Sequence, residues 1–251
     1  MSTANNVMLI TGGSRGIGAA TALLAAQNSW DVAISYHSKQ DAAQAVAAQC
    51  REFGVNAFSQ QCEVADESSV LELFTRCERE LGTLSCLVNN AGILFPTARL
   101  EDMEVDRVRR MTEVNTIGAF LCAREAVRRM ATDRGGQGGS IVNVSSAASY
   151  LGSPNEFVDY AMTKGAMDTM TIGLAKEVAD RGVRVNGVRP GLIDTDIHAD
   201  AGVPDRVERL KANVPMGRGG RADEVAAVIL YLAGDGASYV TGANINVAGG
   251  R

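Results

Sequence analysis

The feature that most constrains this chain is a rhythm. Short apolar runs without polar alternation are each followed by a longer stretch of helical periodicity. Val7 to Ile10 precedes an Ala/Leu-rich pattern over Ile17 to Gln27, and Asp31 to Tyr36 precedes Asp41 to Phe53. Val55 to Gln61 leads to Glu67 to Leu81, and Leu84 to Val88 to a helical region reaching about Thr132. Strands over Ser140 to Val144 and Val183 to Val188 bracket a helix from about Val158 to Arg181. A helix over Asp223 to Ala233 and a short strand, Ile245 to Val247, close the pattern. A strand covered on both faces has no wet side to mark with polar residues, so the rhythm predicts an α/β fold with a parallel, doubly wound sheet. Gly135 to Gly139 and Gly217 to Gly220 are too short, and too poor in Pro and Ser, to be linkers. They read as loops, and residues 1–251 as one domain.

Composition removes several functions. Lys plus Arg number 24 against 29 Asp plus Glu, a net charge of −5, which leaves no cationic surplus for nucleic acid. The apolar run Val225 to Gly234 is about half a membrane span, so no membrane partner is expected. The start, Met1 to Asn6, lacks the basic and long apolar regions of a secretion signal. Cys50, Cys62, Cys77, Cys86 and Cys122 are an odd number with no C-x-x-C pair, and His37 and His198 are the only histidines. Neither a disulfide framework nor a metal centre is expected, and the reducing cytoplasm is the natural setting.

The first apolar run ends at Thr11-Gly12-Gly13-Ser14-Arg15-Gly16-Ile17-Gly18. Glycines at 12, 16 and 18 permit a tight turn, close approach of a pyrophosphate and close helix–strand packing. The helix that follows offers free N–H groups and a positive dipole end to phosphate. Its place in a first strand–helix–strand unit makes this a dinucleotide site in a Rossmann-type domain. At the end of the second strand, an acid would bond the ribose 2′-hydroxyl of NAD. Here stand Ser35-Tyr36-His37-Ser38-Lys39, with no acid until Asp41. Hydroxyls and cations, with Arg15 able to fork onto a phosphate, favour NADP over NAD.

Tyr160 and Lys164 stand four apart in a helical stretch and share a face. A nearby ammonium favours the phenolate, which predicts a Tyr pKa lowered from about 10. Such a tyrosine can protonate a carbonyl or deprotonate an alcohol. Upstream, Ser145 and Ser146 follow a strand whose C-terminal end faces the ligand crevice.

With those residues in order, the chain resembles the short-chain dehydrogenase/reductase family over essentially its whole length. Thr11 to Gly18 matches T-G-x-x-x-G-x-G, and Asn89-Asn90-Ala91-Gly92 matches N-N-A-G. Asn115 matches the active-site asparagine, Tyr160 to Lys164 matches Y-x-x-x-K, and Pro190-Gly191 opens the segment that meets the nicotinamide end. The resemblance implies hydride transfer, with Tyr160 exchanging the proton, Ser146 polarising the substrate oxygen and Asn115 holding a water. Lys164 would tune Tyr160 and bond the nicotinamide ribose, while Ile193 and Thr195 would meet the carboxamide and phosphate. Glu63-Val64 stands where the family often has Asp-Val, toward the adenine. Thirteen residues separate Ser146 from Tyr160, one more than is common, and the turn Gly152-Ser153-Pro154-Asn155 is the place for the extra one. Ser146 is preferred to Ser145 as the catalytic serine.

The family also implies a substrate lid at about 193–215 and a homotetramer paired through the helices around Asn115 and Tyr160. His198, within that lid, reads as a solvated loop residue rather than a substrate contact. The resulting expectation is an NADPH-dependent carbonyl reductase for a small-molecule substrate, with resemblance to 3-oxoacyl-carrier-protein reductases. The alternative is a sugar or polyol dehydrogenase of the glucose 1-dehydrogenase type. A nonenzymatic NADP-binding regulator is opposed by the presence of Tyr160, Lys164, Asn115 and a serine together.

Overall fold

The computed structural model describes residues 6–251; the reading of the chain before Asn6 lies outside them. Seven strands form one sheet: β1 (Val7–Ile10), β2 (Asp31–Tyr36), β3 (Ala57–Gln61), β4 (Leu84–Asn89), β5 (Gly139–Val144), β6 (Val183–Pro190) and β7 (Asn244–Val247). Their order is β3-β2-β1-β4-β5-β6-β7, and every neighbouring pair is parallel. The chain winds outward from β1 in one direction and from β4 in the other. The gap between the C-terminal ends of these two strands is where such a sheet opens a crevice.

The principal helices are α1 (Gly16–Gln27), α2 (Gln40–Glu52), α3 (Glu67–Leu81), α4 (Val105–Thr112) and α5 (Ala119–Met130). They continue with α6 (Ala148–Leu151), α7 (Val158–Val178), α8 (Ile197–Asp200), α9 (Arg206–Leu210) and α10 (Ala222–Ala233). Successive strand residues point to opposite faces, and in β1 both faces are dry. Met8 and Ile10 pack with alanines of α1 and α2 and with Val225 and Ile229 of α10. Val7 and Leu9 pack with Leu73 and Phe74 of α3, Cys122 of α5 and Val178 of α7. Burial on two sides, at roughly 1.5–3 kcal/mol per large aliphatic side chain, is why these runs show no alternation.

Three local features depart from the expected pattern. The helical region before Thr132 is interrupted by a π-helical turn, Glu113–Gly118, that carries Asn115. Gly118 lets this turn press onto the chain after β3, since a Cβ there would lie 2.7 Å from Val64 Cγ2. The helix from Val158 ends at Val178, with a single 3₁₀ turn over Ala179–Arg181. The segment 193–215, to which the sequence rhythm assigns no element, contains the short helices α8 and α9.

Candidate active site

The glycine turn between β1 and α1 is built by close backbone contact. Gly12 adopts φ +68°, and a Cβ on it would lie 2.9 Å from Ala91 Cα. On Gly18 a Cβ would lie 2.4 Å from the Gly12 carbonyl oxygen. Asn90 staples the turn: its Nδ2 donates to the carbonyls of Thr11 and Gly12, each at 2.9 Å. Thr11 Oγ1 accepts from the Asn90 and Ala91 amides at 3.0 Å. The first turn of α1 holds no acidic residue, and its N-cap residue Arg15 makes no side-chain capping bond. That leaves its N–H groups for an anion.

A cleft of about 1030 Å³ runs from this turn across the C-terminal ends of the strands. Gly12, Ser14, Arg15, Gly16 and Ile17 line one end, together with Tyr36, His37 and Ser38 after β2. Glu63, Val64, Asn90, Ala91 and Gly92 form its middle, and Pro190, Gly191, Ile193 and Thr195 close the opposite wall. Gly18, buried behind the turn, does not line it. Thr195 Cγ2 comes within 3.4 Å of where a Gly16 Cβ would be, so the Pro190–Gly191 segment reaches back to the glycine turn. Two of the charged residues are already engaged. Arg15 pairs with Asp200 of α8. The Glu63 carboxylate accepts from Arg110 and the Ala65 amide, and His37 Nε2 lies 3.4 Å away. Burial raises the Glu63 pKa, but the bonds from Arg110 and Ala65 outweigh it and hold the carboxyl below its usual range.

Ser146, Tyr160 and Lys164 meet beyond β5. The two serines diverge, as consecutive residues at a strand end must. Ser145 is buried and donates through Oγ to the Lys164 carbonyl at 3.1 Å, whereas Ser146 lines the cleft, where its hydroxyl accepts from the Ala148 amide at 3.1 Å and favours the ionised form of Tyr160. The turn between them absorbs the extra residue with left-handed backbone at Gly152, Ser153 and Asn155. Burial pushes the Tyr160 phenol up to about 12 against the lowering effect of Ser146. The downward shift expected from Lys164 is absent. Lys164 Nζ donates to the Val144 carbonyl at 2.7 Å and lies 5.6 Å from the centre of the Tyr160 ring. Its own pKa is pushed down to about 8 by burial, with Asp168 opposing. Spacing on a helix predicts proximity, but desolvation decides the charge.

Asn115 is fully buried, and its amide clamps the Ile93 backbone: Nδ2 donates to Ile93 O at 3.0 Å and Oδ1 accepts from Ile93 N at 2.8 Å. A second bond from Nδ2 reaches Thr163 Oγ1 at 3.3 Å. Gly92 adjoins both groups, with its Cβ direction 3.4 Å from Asn115 Oδ1 and 3.7 Å from Lys164 Nζ. His198 is half-buried on the cleft wall, its Nε2 2.9 Å from Ile193 O, rather than solvated. Among the described residues, no three His, Cys, Asp or Glu side chains gather as a metal site.

A family model described as enoyl-(acyl carrier protein) reductase matches residues 12–251. The oxidoreductase YgfF of Escherichia coli K12 is 53% identical over 245 residues, covering 98% of this chain and 99% of that protein. The 3-oxoacyl-[acyl-carrier-protein] reductase FabG of Staphylococcus aureus is 35% identical over 244 residues, covering 96% of each. Among solved structures, a short-chain dehydrogenase of Burkholderia cenocepacia in complex with NADP superposes with a TM-score of 0.90. It is 33% identical and covers 98% of both chains. The chain belongs to the short-chain dehydrogenase/reductase family. It is an enzyme that interconverts carbonyl and alcohol groups, in a family that binds nicotinamide cofactors.

Sequence reasoning passed over three residues of the site region. Arg206 is buried and forks onto Glu156 at 2.8 and 2.6 Å. Arg107 joins Asp159 at 2.7 Å to the Pro96 carbonyl at 2.5 Å, fixing the start of α7 to the loop after β4. Asp168 continues the Tyr160–Lys164 ladder by one further turn of α7. That spacing was the available signal for Asp168; nothing local marks the other two.

Proposed function

We propose that the protein is an NADPH-dependent carbonyl reductase in which Tyr160 is the proton donor. One observation carries the reading: Tyr160, with Ser146 and Lys164 beside it, stands in the same cleft as a glycine turn with no room for a side chain. The turn fits a dinucleotide. Gly12 and Gly16 leave space for its pyrophosphate, Gly18 lets α1 close onto the turn, and α1 meets the pyrophosphate with free N–H groups. Bound there, a nicotinamide supplies the hydride in reduction and takes it in oxidation.

This chain's own residues handle the proton and the developing charge. A phenol held at about 12 stays protonated at neutral pH, so Tyr160 is poised as an acid toward a carbonyl oxygen. Ser146 donates to the same oxygen as it gains negative charge. Lys164 spends one N–H on Val144 and keeps two for a ribose. With both N–H groups of its amide engaged, Asn115 holds a relay water through its backbone carbonyl or the remaining lone pair on Oδ1. Pro190, Gly191, Ile193 and Thr195 receive the carboxamide end, and residues 193–215 serve as the substrate lid.

NADP is favoured because Tyr36, His37, Ser38 and Lys39 place no acid after β2, while Arg15 stands across the cleft end as a phosphate ligand. Glu63 is the acid nearest His37, and Arg110 already holds it. A 3-oxoacyl thioester is the first substrate to try, in line with the likeness to FabG; sugars and polyols are the alternative. Self-association as a homotetramer is supported by exposed apolar side chains around Asn115 and Tyr160: Ile117 of the π turn, Phe120 of α5, and Met162 and Ile172 of α7. Gly165 and Gly173 of α7 have nothing within 4 Å of a Cβ and allow close approach. All five cysteines are free and buried, in keeping with a reducing cytoplasm.

The test is NADPH oxidation with an acetoacetyl thioester, run beside NADH and beside Tyr160→Phe. Turnover that prefers NADPH and falls by about 10²–10⁴-fold in Tyr160→Phe, with cofactor binding retained, supports the reading. Near-normal turnover by a folded Tyr160→Phe variant overturns the role of Tyr160. Activity confined to sugars or polyols selects the alternative substrate class.

A further inference from the structure

Tyr160, Lys164 and Asp168 stand at i, i+4 and i+8 of α7, so one face of the helix carries a phenol, an ammonium and a carboxylate at successive turns. Lys164 is 3% and Asp168 7% exposed. Asp168 has no part in the chemistry derived above, yet it is held with care. From β6 beneath, Arg189 Nε donates to Asp168 Oδ2 at 2.9 Å. The Arg189 guanidinium lies 5.5 Å from the centre of the Tyr150 ring, and the Tyr150 hydroxyl donates to the Arg251 carbonyl at 2.8 Å. Arg251 itself lines the cleft. The second carboxylate oxygen, Oδ1, is buried and has no hydrogen-bond partner.

That asymmetry matters. A carboxylate serving only to tie β6 to α7 would accept the arginine fork with both oxygens, the strongest geometry open to it. Asp168 gives Arg189 one oxygen and keeps the other buried and free, on the helix face it shares with Lys164. A buried ammonium needs an opposite charge nearby to persist. The charged and titratable groups near Lys164 are few. On α7 they are Tyr160 and Asp168, and behind Asp168 there is Arg189 of β6. The end of β5 offers the Val144 carbonyl, the chain after β4 offers Gly92, and the π turn offers the neutral amide of Asn115.

We propose that Asp168, anchored by Arg189, is a positioning residue whose carboxylate keeps Lys164 in the ammonium form, with two N–H groups left for the ribose and a positive charge beside the phenolate that Tyr160 becomes on giving up its proton. This rests on the reading of Tyr160 as the proton donor and of Lys164 as the ribose-binding group beside it. Two effects compete at Lys164: burial pushes its pKa down to about 8, and Asp168 is the charge that opposes it. Without the carboxylate, the ammonium loses its proton at still lower pH.

The experiment is the pH dependence of kcat/KM for reduction between about pH 6 and 10, for wild type, Asp168→Asn and the double variant Asp168→Leu/Arg189→Met. In Asp168→Asn the alkaline limb moves about one unit toward acid. Its rate at pH 8 then falls to about a fifth of wild type, and toward about a tenth at higher pH, while at pH 6 the two stay within about three-fold. The double variant also removes the arginine charge that the single one strands in the interior. Its alkaline limb moves the same way, and it decides the matter if Asp168→Asn folds poorly. A limb that coincides with wild type, or a loss uniform at every pH, overturns the proposal and leaves Asp168 as a tie between β6 and α7. Tyr160→Phe in the same assay separates the two failures. If it retains turnover, the proton-donor reading falls; if it is inactive and the limb is unmoved, only the role of Asp168 falls.

Discussion

The two ends of the cleft are made of different materials. Around the glycine turn backbone packs on backbone, Gly18 against the Gly12 carbonyl and Gly12 against Ala91, and the side chains of Thr11 and Asn90 bond the backbone across the ends of β1 and β4. At the other end, the segment carrying α8 and α9 adds two side-chain ion pairs, the exposed Arg15 with Asp200 and the deeper Arg206 with Glu156. Backbone contacts at van der Waals limits cannot loosen without moving the strands that bear them. An exposed pair such as Arg15 with Asp200 is worth about 0–1 kcal/mol and exchanges readily with water or ligand. A reductase that must hold a dinucleotide in one pose, yet admit substrate and release product, needs both kinds of wall.

The largest effect should come from breaking the rigid end. In Gly18→Ala the new methyl lies 2.4 Å from the Gly12 carbonyl oxygen, a backbone atom that cannot swing aside, so the turn itself must open. We expect NADPH affinity to fall by about 100-fold or more, as lost pyrophosphate contacts and strain add together. Calorimetric titration of the variant, with circular dichroism to check folding, measures it. Binding within three-fold of wild type would mean that the turn yields as easily as the lid, and the contrast would collapse.

Those two materials also explain what could be read from the chain. The strands were legible because burial on both faces removes polar alternation, and the glycine turn because only glycine fits such contacts. Tyr160 and Lys164 were legible as neighbours, since helical spacing is fixed. Their charge states were not, because the 12 of Tyr160 and the 8 of Lys164 depend on burial by residues distant in sequence. Likewise Ser145 and Ser146 look alike in sequence, and only the strand's exit direction sends one to the Lys164 carbonyl and the other to Tyr160. Least legible was the segment that carries α8 and α9. Arg206 and Glu156 are fifty residues apart, and nothing around either signals the other. His198 read as solvated because its Ile193 partner depends on a loop closing back on itself.

Breaking the deeper pair of the proposed lid should have a middling effect. Arg206 is 8% exposed, forks onto Glu156 and lies 4.9 Å from the Phe157 ring centre. Glu156→Gln leaves that guanidinium without a countercharge, and we expect substrate KM to rise about three- to ten-fold while the Kd for NADPH stays put. The sign with pH follows. Arg206 holds the Glu156 carboxyl below its ordinary 4.5, so the pair's contribution is complete above that value and is lost as pH falls through the lower, folded one. Wild type at neutral pH therefore keeps its latch, and the variant mimics its acid form. A KM unchanged in Glu156→Gln would show that the lid closes without this pair.

The smallest effect, and the sharpest comparison, lies where the two ends touch. Arg15 belongs to the glycine turn and Asp200 to α8 of the proposed lid, and their side chains are 39% and 47% exposed. If Arg15 is the ligand of a 2′-phosphate, Asp200 competes for its guanidinium, and a ligand must displace the lid to win it. Asp200→Asn should then tighten NADPH by about two- to five-fold, the worth of an exposed pair, and leave NADH unaffected. Raising the ionic strength toward 1 M should shrink the difference, because salt screens the exposed pair that wild type must break. Equal changes for both cofactors would place the effect at the pyrophosphate, which they share. Weaker NADPH binding would mean that Asp200 orients Arg15 for the phosphate rather than competing with it, making the lid part of the cofactor site and dissolving the division drawn here.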